Sequence, residues 1–309
     1  MITTAIERIK TAEYAFNDPK FDLQSEVNTY LDYYGLPRGM ADHTYGYLDI
    51  KGEKIFLQSF SPEEPIADVL VVHGYFDHTG SMSHLIHSLL KARCRVWSYD
   101  LTGHGLSSGT RAAIDDFSDY LAVFKEVSRY VTTGSLPSYV IAHSTGAAVV
   151  MDYLLHHSSP YKKAILLAPL VRSYGWKLSV LGRMISPAFF QTAKRVYRKN
   201  TSLAGFQKKV IDDPLQHGRL SLRWVDALIS WNKKIHVKGP CKEKLLIIQG
   251  DLDRTVDWKY NCRFINYKFP SANIILVNGA DHQLMNETIE VRELVFYLIN
   301  NYIGSNKDH

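Results

Sequence analysis

The stretch that decides the fold runs Tyr139 Val140 Ile141 Ala142 His143 Ser144 Thr145 Gly146 Ala147 Ala148 Val149 Val150. An apolar, β-rich run enters a tight turn centred on Ser144, and an alanine-rich run of helical character leaves it. This is the sequence form of a nucleophile elbow, where G-x-S-x-G holds a serine in a strained turn with its hydroxyl above a sheet. Small flanking residues are needed because strand and helix pack closely around the turn. Here Ala142 stands at the first glycine position and Gly146 at the last. Ser-x-Gly also occurs in ordinary strand-turn-helix connections, so the reading depends on the rest of the chain. It must supply an acid, a base and a second oxyanion donor, in the right order.

Around this stretch strand and helix patterns alternate. Upstream, Ala67 to Val72 is an apolar run without an alternating polar face, suited to a strand covered on both sides. Ser83 to Ala92 has helical spacing and Arg93 to Ser98 reads as the next strand. Ile114 to Val131 is an amphipathic helix with Phe117, Leu121, Phe124 and Val127 on one stripe. Downstream come a helix over Gly146 to His156 and a strand over Lys163 to Ala168. Such alternation predicts a parallel sheet with right-handed crossovers.

The alternation breaks at Pro169 and resumes with a strand at Glu243 to Gln249. A helix near Trp258 to Tyr267, a strand at Asn273 to Val277 and a helix from Glu287 to Tyr302 complete it. The expected organisation is an α/β core over residues 1–170 and 241–309 with an all-helical cap over 171–240. An insert at that point lies over the carboxyl ends of the strands, where open α/β sheets bind ligands. Residues 1–44 read as a short helical leader and a loop ending at Tyr34 Gly35 Leu36 Pro37 Arg38 Gly39, with no role assigned. A hairpin of Thr44 to Asp49 with Lys54 to Phe60 follows and closes one edge of the sheet.

Of the 309 residues, 46% are hydrophobic and 22% charged, which provides for a sizeable core and argues against disorder. Cys94, Cys241 and Cys262 are odd in number, widely spaced and outside any C-x-x-C pattern, and so read as small hydrophobes in a reducing compartment. The first thirty residues hold no apolar run of signal-peptide type, and no later run approaches the ~18 residues of a membrane span. The expectation is a cytoplasmic protein. Charge is unevenly placed: Val171 to Pro240 carries fourteen basic and three acidic residues, a net +11, so the rest of the chain stands at −6 within the total of +5.

A serine hydroxyl becomes an effective nucleophile when a histidine takes its proton and a carboxylate fixes that histidine's tautomer. On a sheet of this kind the chain order is serine, acid, histidine. After the strand that follows the cap, Gly250 Asp251 Leu252 Asp253 Arg254 Thr255 Val256 Asp257 offers three acids. Asp251 reads as a turn former and Asp257 as a helix cap, which leaves Asp253. One strand later, Asn278 Gly279 Ala280 Asp281 His282 places His282 as the base. It alone among thirteen histidines meets both order and position. Oxyanion donors are expected from the backbone N–H of Thr145 and of Tyr75, the latter in the turn His73 Gly74 Tyr75 Phe76 Asp77 His78. Asp77 and His78 read either as surface polar groups or as supports of that turn. His143, next to Ser144 and expected to point away from it, and Phe76 are assigned to border the substrate.

The ordered set His73-Gly74-x-x-Asp77-His78, Asp100-x-x-Gly103-His104-Gly105-x-Ser107-x-Gly109, Ala142-His143-Ser144-Thr145-Gly146, Gly250-x-x-Asp253-Arg254 and Gly279-Ala280-x-His282 resembles the serine α/β-hydrolases, specifically the monoacylglycerol lipase and lysophospholipase branch. The likeness runs from about Ala67 to the C-terminal helix, and Asp213-Pro214-Leu215 resembles the end of that branch's cap. It implies an α/β-hydrolase fold: a mostly parallel central sheet flanked by helices, with a helical cap insertion. It also implies Ser144, Asp253 and His282 as nucleophile, acid and base, the assignment reached above from order. Two departures stand out, Ala142 for glycine and the bulky Tyr75-Phe76 where small residues are usual.

In the cap, Trp176, Leu178, Val180, Leu181, Met184, Ile185, Ala188, Phe189 and Phe190 precede Lys194, Arg195, Arg198 and Lys199. An apolar run beside cations suits either a lipid-receiving, membrane-peripheral surface or a cap helix packed on the core with a solvated basic side. The resulting expectation is a carboxylic ester hydrolase, with a monoacylglycerol or lysophospholipid favoured and no metal or organic cofactor required. A short-chain esterase, a thioesterase or an iminopeptidase uses the same triad, and a non-catalytic scaffold of this fold is the reading from another class. A small-molecule ester or lipid is the expected partner, with contact to an anionic membrane through the basic cap and no nucleic acid.

Overall fold

A computed structural model describes residues 1–12, 14–18, 23–185 and 190–304. Its frame is an eight-stranded sheet. The antiparallel hairpin β1 (Asp42–Ile50) and β2 (Glu53–Ser61) leads into β3 (Ala67–Val72), β4 (Cys94–Tyr99), β5 (Ser138–His143), β6 (Lys163–Leu167), β9 (Leu245–Gly250) and β10 (Asn273–Val277). The spatial order is β1-β2-β4-β3-β5-β6-β9-β10, with every pairing from β4 onward parallel. β3 and β5 lie at the centre with all residues buried, which is why their sequences show no period-two alternation. The hairpin occupies one edge, as its alternation predicts.

Helices cover both faces. α3 (Ser83–Lys91), α4 (Phe117–Val131), α5 (Thr145–His156), α9 (Trp258–Lys268) and α10 (Ile289–Gly304) connect or follow the strands. α4 buries Phe117, Tyr120, Phe124 and Val127 on one stripe. It starts at Phe117 rather than Ile114 because Asp116 caps it, accepting from the Ser118 N–H while Asp119 reaches back to the Asp116 N–H. α5 is buried from Thr145 to Leu154, and its first turn lies against the end of β3. A Cβ on Gly146 would stand 2.6 Å from the carbonyl oxygens of Val72 and His73, so only glycine lets helix and strand approach this closely.

The leader forms two helices, α1 (Ile2–Thr11) and α2 (Gln24–Tyr34), rather than one helix and a loop. They bury Ile6, Ile9, Tyr30 and Leu31 in the same core cluster as β2 and β3. Between them Ala15 pairs with Tyr47 of β1, so the leader covers the exposed edge of the sheet. This is the standard remedy for unpaired strand edges.

The cap, between β6 and β9, comprises α6 (Trp176–Ile185), β7 (Thr192–Lys194), α7 (Phe206–Asp212), β8 (Arg219–Ser221) and α8 (Leu222–His236). It is helical with one addition, because β7 and β8 pair as a two-stranded antiparallel ribbon. Three-residue strands are too short to show an alternating pattern, which is why the sequence reads as all-helical there. α8 carries the packing: Trp224, Leu228, Trp231 and Ile235 are buried against the core, whereas α6 has no buried residue. Ala188 and Phe189 of the apolar run, and His309, lie outside the described residues.

Candidate active site

Ser144 follows β5 and caps α5 with φ 51° and ψ −112°, a positive-φ conformation costly for any residue with a side chain. The elbow is held by hydrogen bonds from Ser144 N to Leu167 O and from Leu170 N to Ser144 O, each anchored at the end of β6. The seryl Oγ lies 3.1 Å from His282 Nε2, and His282 Nδ1 lies 2.7 Å from Asp253 Oδ2. Ser144 is thus joined in one hydrogen-bonded chain to two residues more than a hundred positions further along the sequence. All three are buried, with Ser144 at 7% exposure the most accessible.

Asp253 is the carboxylate in contact with His282. Its Oδ1 accepts from Thr255 N (2.7 Å) and Val256 N (3.0 Å), and its Oδ2 also accepts from Gln249 Nε2 (3.0 Å). Burial pushes this carboxyl's pKa up, but His282 and the N–H donors outweigh burial and hold it below the ordinary carboxylate value. For His282 burial pulls the pKa down, and Asp253 outweighs it, leaving the imidazole above its ordinary value. The other two acids do other work. Asp251 accepts from Gly279 N, and Asp257 caps α9 through Tyr260 N.

The turn after β3 is built as tightly. His73 donates through Nδ1 to Gly74 O (2.7 Å) and accepts at Nε2 from Leu101 N (2.9 Å), which fixes a neutral tautomer and pins the turn to the end of β4. Burial lowers the pKa of His73, consistent with that state. A Cβ on Gly74 would meet Ser144 Cβ at 3.1 Å, so the turn passes directly beside the elbow. The Tyr75 N–H in this turn and the Thr145 N–H in the first turn of α5 occupy positions with no ladder or intrahelical acceptor.

Phe76 borders a cavity of about 810 Å³ above Ser144, together with Tyr75, His282 and the cap residues Trp224 and Leu228. The Tyr75 ring stacks on Trp224 at 3.9 Å, and its hydroxyl donates to Ala112 O, so the bulky side chain serves as cavity wall and cap contact. His143 is placed differently from expectation. It is 2% exposed and lies beneath the wall, with Nε2 3.2 Å from His282 O and Nδ1 3.4 Å from Asp77 Oδ2. At the end of a fully buried strand its ring has only the packed interior to enter.

The sequence motifs name several side chains at the site without a partner, and the structure supplies one. Asp77 is buried and accepts from Gln283 Nε2 at 3.3 Å, which ties the turn after β3 to the His282 loop. His78 is fully buried and lies 2.8 Å from Asp213 of the cap, whose other oxygen accepts from Tyr34 of the leader at 2.6 Å. The sequence signals for this node are His78 in the turn after β3 and the Asp213-Pro214-Leu215 segment, and no local pattern links the two to each other or to position 34. Asp100 accepts from Thr79 N and Leu106 N, and a Cβ on Gly105 would stand 2.0 Å from its carboxylate. The glycine-rich motif after β4 is therefore built around a buried carboxylate.

An elbow serine hydrogen-bonded to a carboxylate-oriented histidine at the carboxyl ends of parallel strands defines a serine hydrolase of the α/β-hydrolase fold. The chain belongs to the serine aminopeptidase S33 family, whose sequence profile matches residues 63–289. It is 25% identical over 258 residues to a monoacylglycerol lipase of Mycolicibacterium smegmatis, covering 79% of this chain and 91% of that protein. It is 24% identical over 269 residues to the monoglyceride lipase of Mus musculus, covering 82% and 88%. Among solved structures, a soluble variant of the Saccharomyces cerevisiae monoglyceride lipase, in complex with a substrate analog, shares the fold. Its TM-score is 0.74 at 17% identity, covering 87% of this chain and 96% of that one.

Proposed function

We propose that the protein hydrolyses the acyl ester of a monoacylglycerol or lysophospholipid through an acyl-enzyme on Ser144. The observation that carries this reading is the Ser144–His282–Asp253 hydrogen-bonded chain at the floor of a large cavity. In the first half-reaction His282 Nε2 takes the seryl proton as Oγ attacks the ester carbonyl, and Asp253 stabilises the imidazolium. The carbonyl oxygen becomes an oxyanion within reach of the Tyr75 and Thr145 N–H groups. His282 then passes the proton to the departing alcohol. Water then attacks the acyl carbonyl as His282 Nε2 takes its proton. Collapse of the intermediate breaks the acyl–Oγ bond, releasing the fatty acid as His282 returns that proton to Ser144 Oγ. This chemistry draws on the chain's own residues, and the lipase names of the relatives support an ester rather than an amide substrate.

A membrane-peripheral arrangement is part of this reading, and the surface of the cap supports it. Leu178, Leu181, Met184 and Ile185 of α6 are exposed, as is Phe190, and basic residues adjoin them. Among the described residues no helix is long and apolar enough to cross a membrane. Such a face suits partial insertion into an anionic interface.

The test of the catalytic reading is labelling by a fluorophosphonate probe, followed by a hydrolysis screen across acyl lengths and headgroups. Labelling and ester hydrolysis that both vanish in Ser144→Ala are the expected result. A folded wild-type protein that neither labels nor hydrolyses would be a scaffold. For the membrane arrangement, binding to anionic vesicles that ignores both salt and charge reversal at Lys194, Arg198 and Lys199 would remove it.

A further inference from the structure

We propose that Arg195 forms an anion subsite inside the catalytic cavity, so that the preferred substrate is a monoacyl lipid whose glycerol carries a phosphate. This rests on the hydrolase reading above and narrows it. Arg195 follows β7 and is partly buried on the cavity wall. Its guanidinium carbon lies 3.9 Å over the Phe76 ring and 4.6 Å over the Tyr197 ring. Nη1 donates to Gln216 Oε1 (2.7 Å) and His217 O (3.3 Å), both neutral acceptors. A partly desolvated cation held in a fixed orientation without a carboxylate is costly unless a ligand supplies the anion.

Three cap cations have carboxylate partners: Arg223 with Asp115, Lys234 with Asp116, and Arg183, which also borders the cavity, with Asp226. Lys194, Arg195, Arg198 and Arg254 all line the cavity, and none has a carboxylate within ion-pair distance among the described residues. The one acidic side chain on the wall, Asp77, is 7% exposed and already engaged by Gln283 and by the neighbouring His143. Of the four cations Lys194, Arg198 and Arg254 are exposed at the rim, and Arg195 is the one held partly buried on the wall.

The position fits one substrate outline. Tyr75 and Phe76 adjoin the elbow, and their rings divide its surroundings. Tyr75 stacks on Trp224 beside Leu228, an apolar side suited to an acyl chain, while Phe76 lies beneath Arg195. An ester seated at Ser144 would have its acyl chain on the first side and its glycerol on the second. A phosphate on that glycerol meets a planar guanidinium able to bind two of its oxygens. A neutral glycerol leaves the guanidinium unpaired.

The test compares kcat/KM for octanoylglycerol phosphate and octanoylglycerol, both kept monomeric so that attraction to a charged interface plays no part. Wild type is expected to favour the phosphate, and Arg195→Gln to lower the phosphate-to-neutral ratio by roughly 10- to 100-fold, the range of one charge-assisted hydrogen bond. Lys233→Gln, which removes a charge from an exposed site away from the cavity, is expected to leave the ratio within about twofold. Fluorophosphonate labelling verifies that each variant retains a competent Ser144, and the wild-type ratio tests the proposal even if Arg195→Gln fails to fold. Glycerol phosphate and inorganic phosphate serve as inhibitors. Inhibition as tight as that given by the acylated phosphate would assign the subsite to a free phosphate compound and overturn the lipid assignment. Hydrolysis with no preference for the phosphate, or a ratio unmoved by Arg195→Gln, overturns the subsite while the hydrolase reading stands. Absence of both hydrolysis and labelling in wild type overturns both.

Discussion

Replacing Asp253 by asparagine tests the site at the point where its geometry is most restrictive. Thr255 N and Val256 N both donate to Oδ1, at 2.7 and 3.0 Å, so in the variant that position must remain an oxygen. The amide NH₂ then occupies the Oδ2 position, 2.7 Å from His282 Nδ1. Donor faces donor unless His282 carries its proton on Nε2. In that tautomer Nε2, 3.1 Å from the Ser144 hydroxyl, has no lone pair to receive the seryl proton. The equivalent change in a serine protease triad lowers kcat about 10⁴-fold, or about 5.5 kcal/mol of transition-state stabilisation. Asp251→Asn is the matched control, since Asp251 touches Gly279 N and not the histidine; a loss below about threefold is expected, as for surface changes outside special features. Steady-state kcat on a soluble ester, with thermal melts to establish folding, measures both. An Asp253→Asn enzyme within tenfold of wild type, or a larger loss from Asp251→Asn, would refute the reasoning.

Three further outcomes follow from the same geometry. Because His282 acts as a base and its pKa is raised by Asp253 against the opposing effect of burial, kcat/KM should fall as pH drops through a value above about 6.5; an acid limb below that would contradict the assignment. The His78–Asp213 pair should contribute stability between two limits. It is lost as pH rises through the raised His78 pKa and as pH falls through the lowered Asp213 pKa, so Asp213→Asn should lower Tm and flatten the pH dependence at both ends. Gly146→Ala should cost about 3 kcal/mol in urea unfolding, since its Cβ meets two backbone oxygens that cannot move aside; a near-neutral result would mean that β3 and α5 pack less tightly than described.

Much of this structure is legible from local pattern. Parallel strands buried on both faces show themselves as apolar runs, and the order of Ser144, Asp253 and His282 follows from where the strands end. Asp253 could be separated from its neighbours because turn and cap chemistry account for Asp251 and Asp257. What stays hidden depends on contacts between distant segments. The burial of His143 and Asp77 is decided by the His282 loop lying against them, more than a hundred residues away in sequence. The leader shows amphipathic helices but not the sheet edge it covers. The β7–β8 ribbon is too short for any period to register.

The unequal seating of the cap has a mechanical consequence. The cap is fastened to the core at three places: α8 by its buried tryptophans, Asp213 by His78 and Tyr34, and the segment around Thr201 by Gln283 N to Asn200 O and Ser202 N to Glu287. α6, by contrast, has no fully buried residue and rests on α8 through Arg183–Asp226 and on the core through Trp176. Segments with few buried contacts open at low free-energy cost, so α6 should be the part of the cap that yields first to admit ligand. Traffic into the cavity would then pass beneath α6, while the fastened parts of the cap hold the catalytic loops in register.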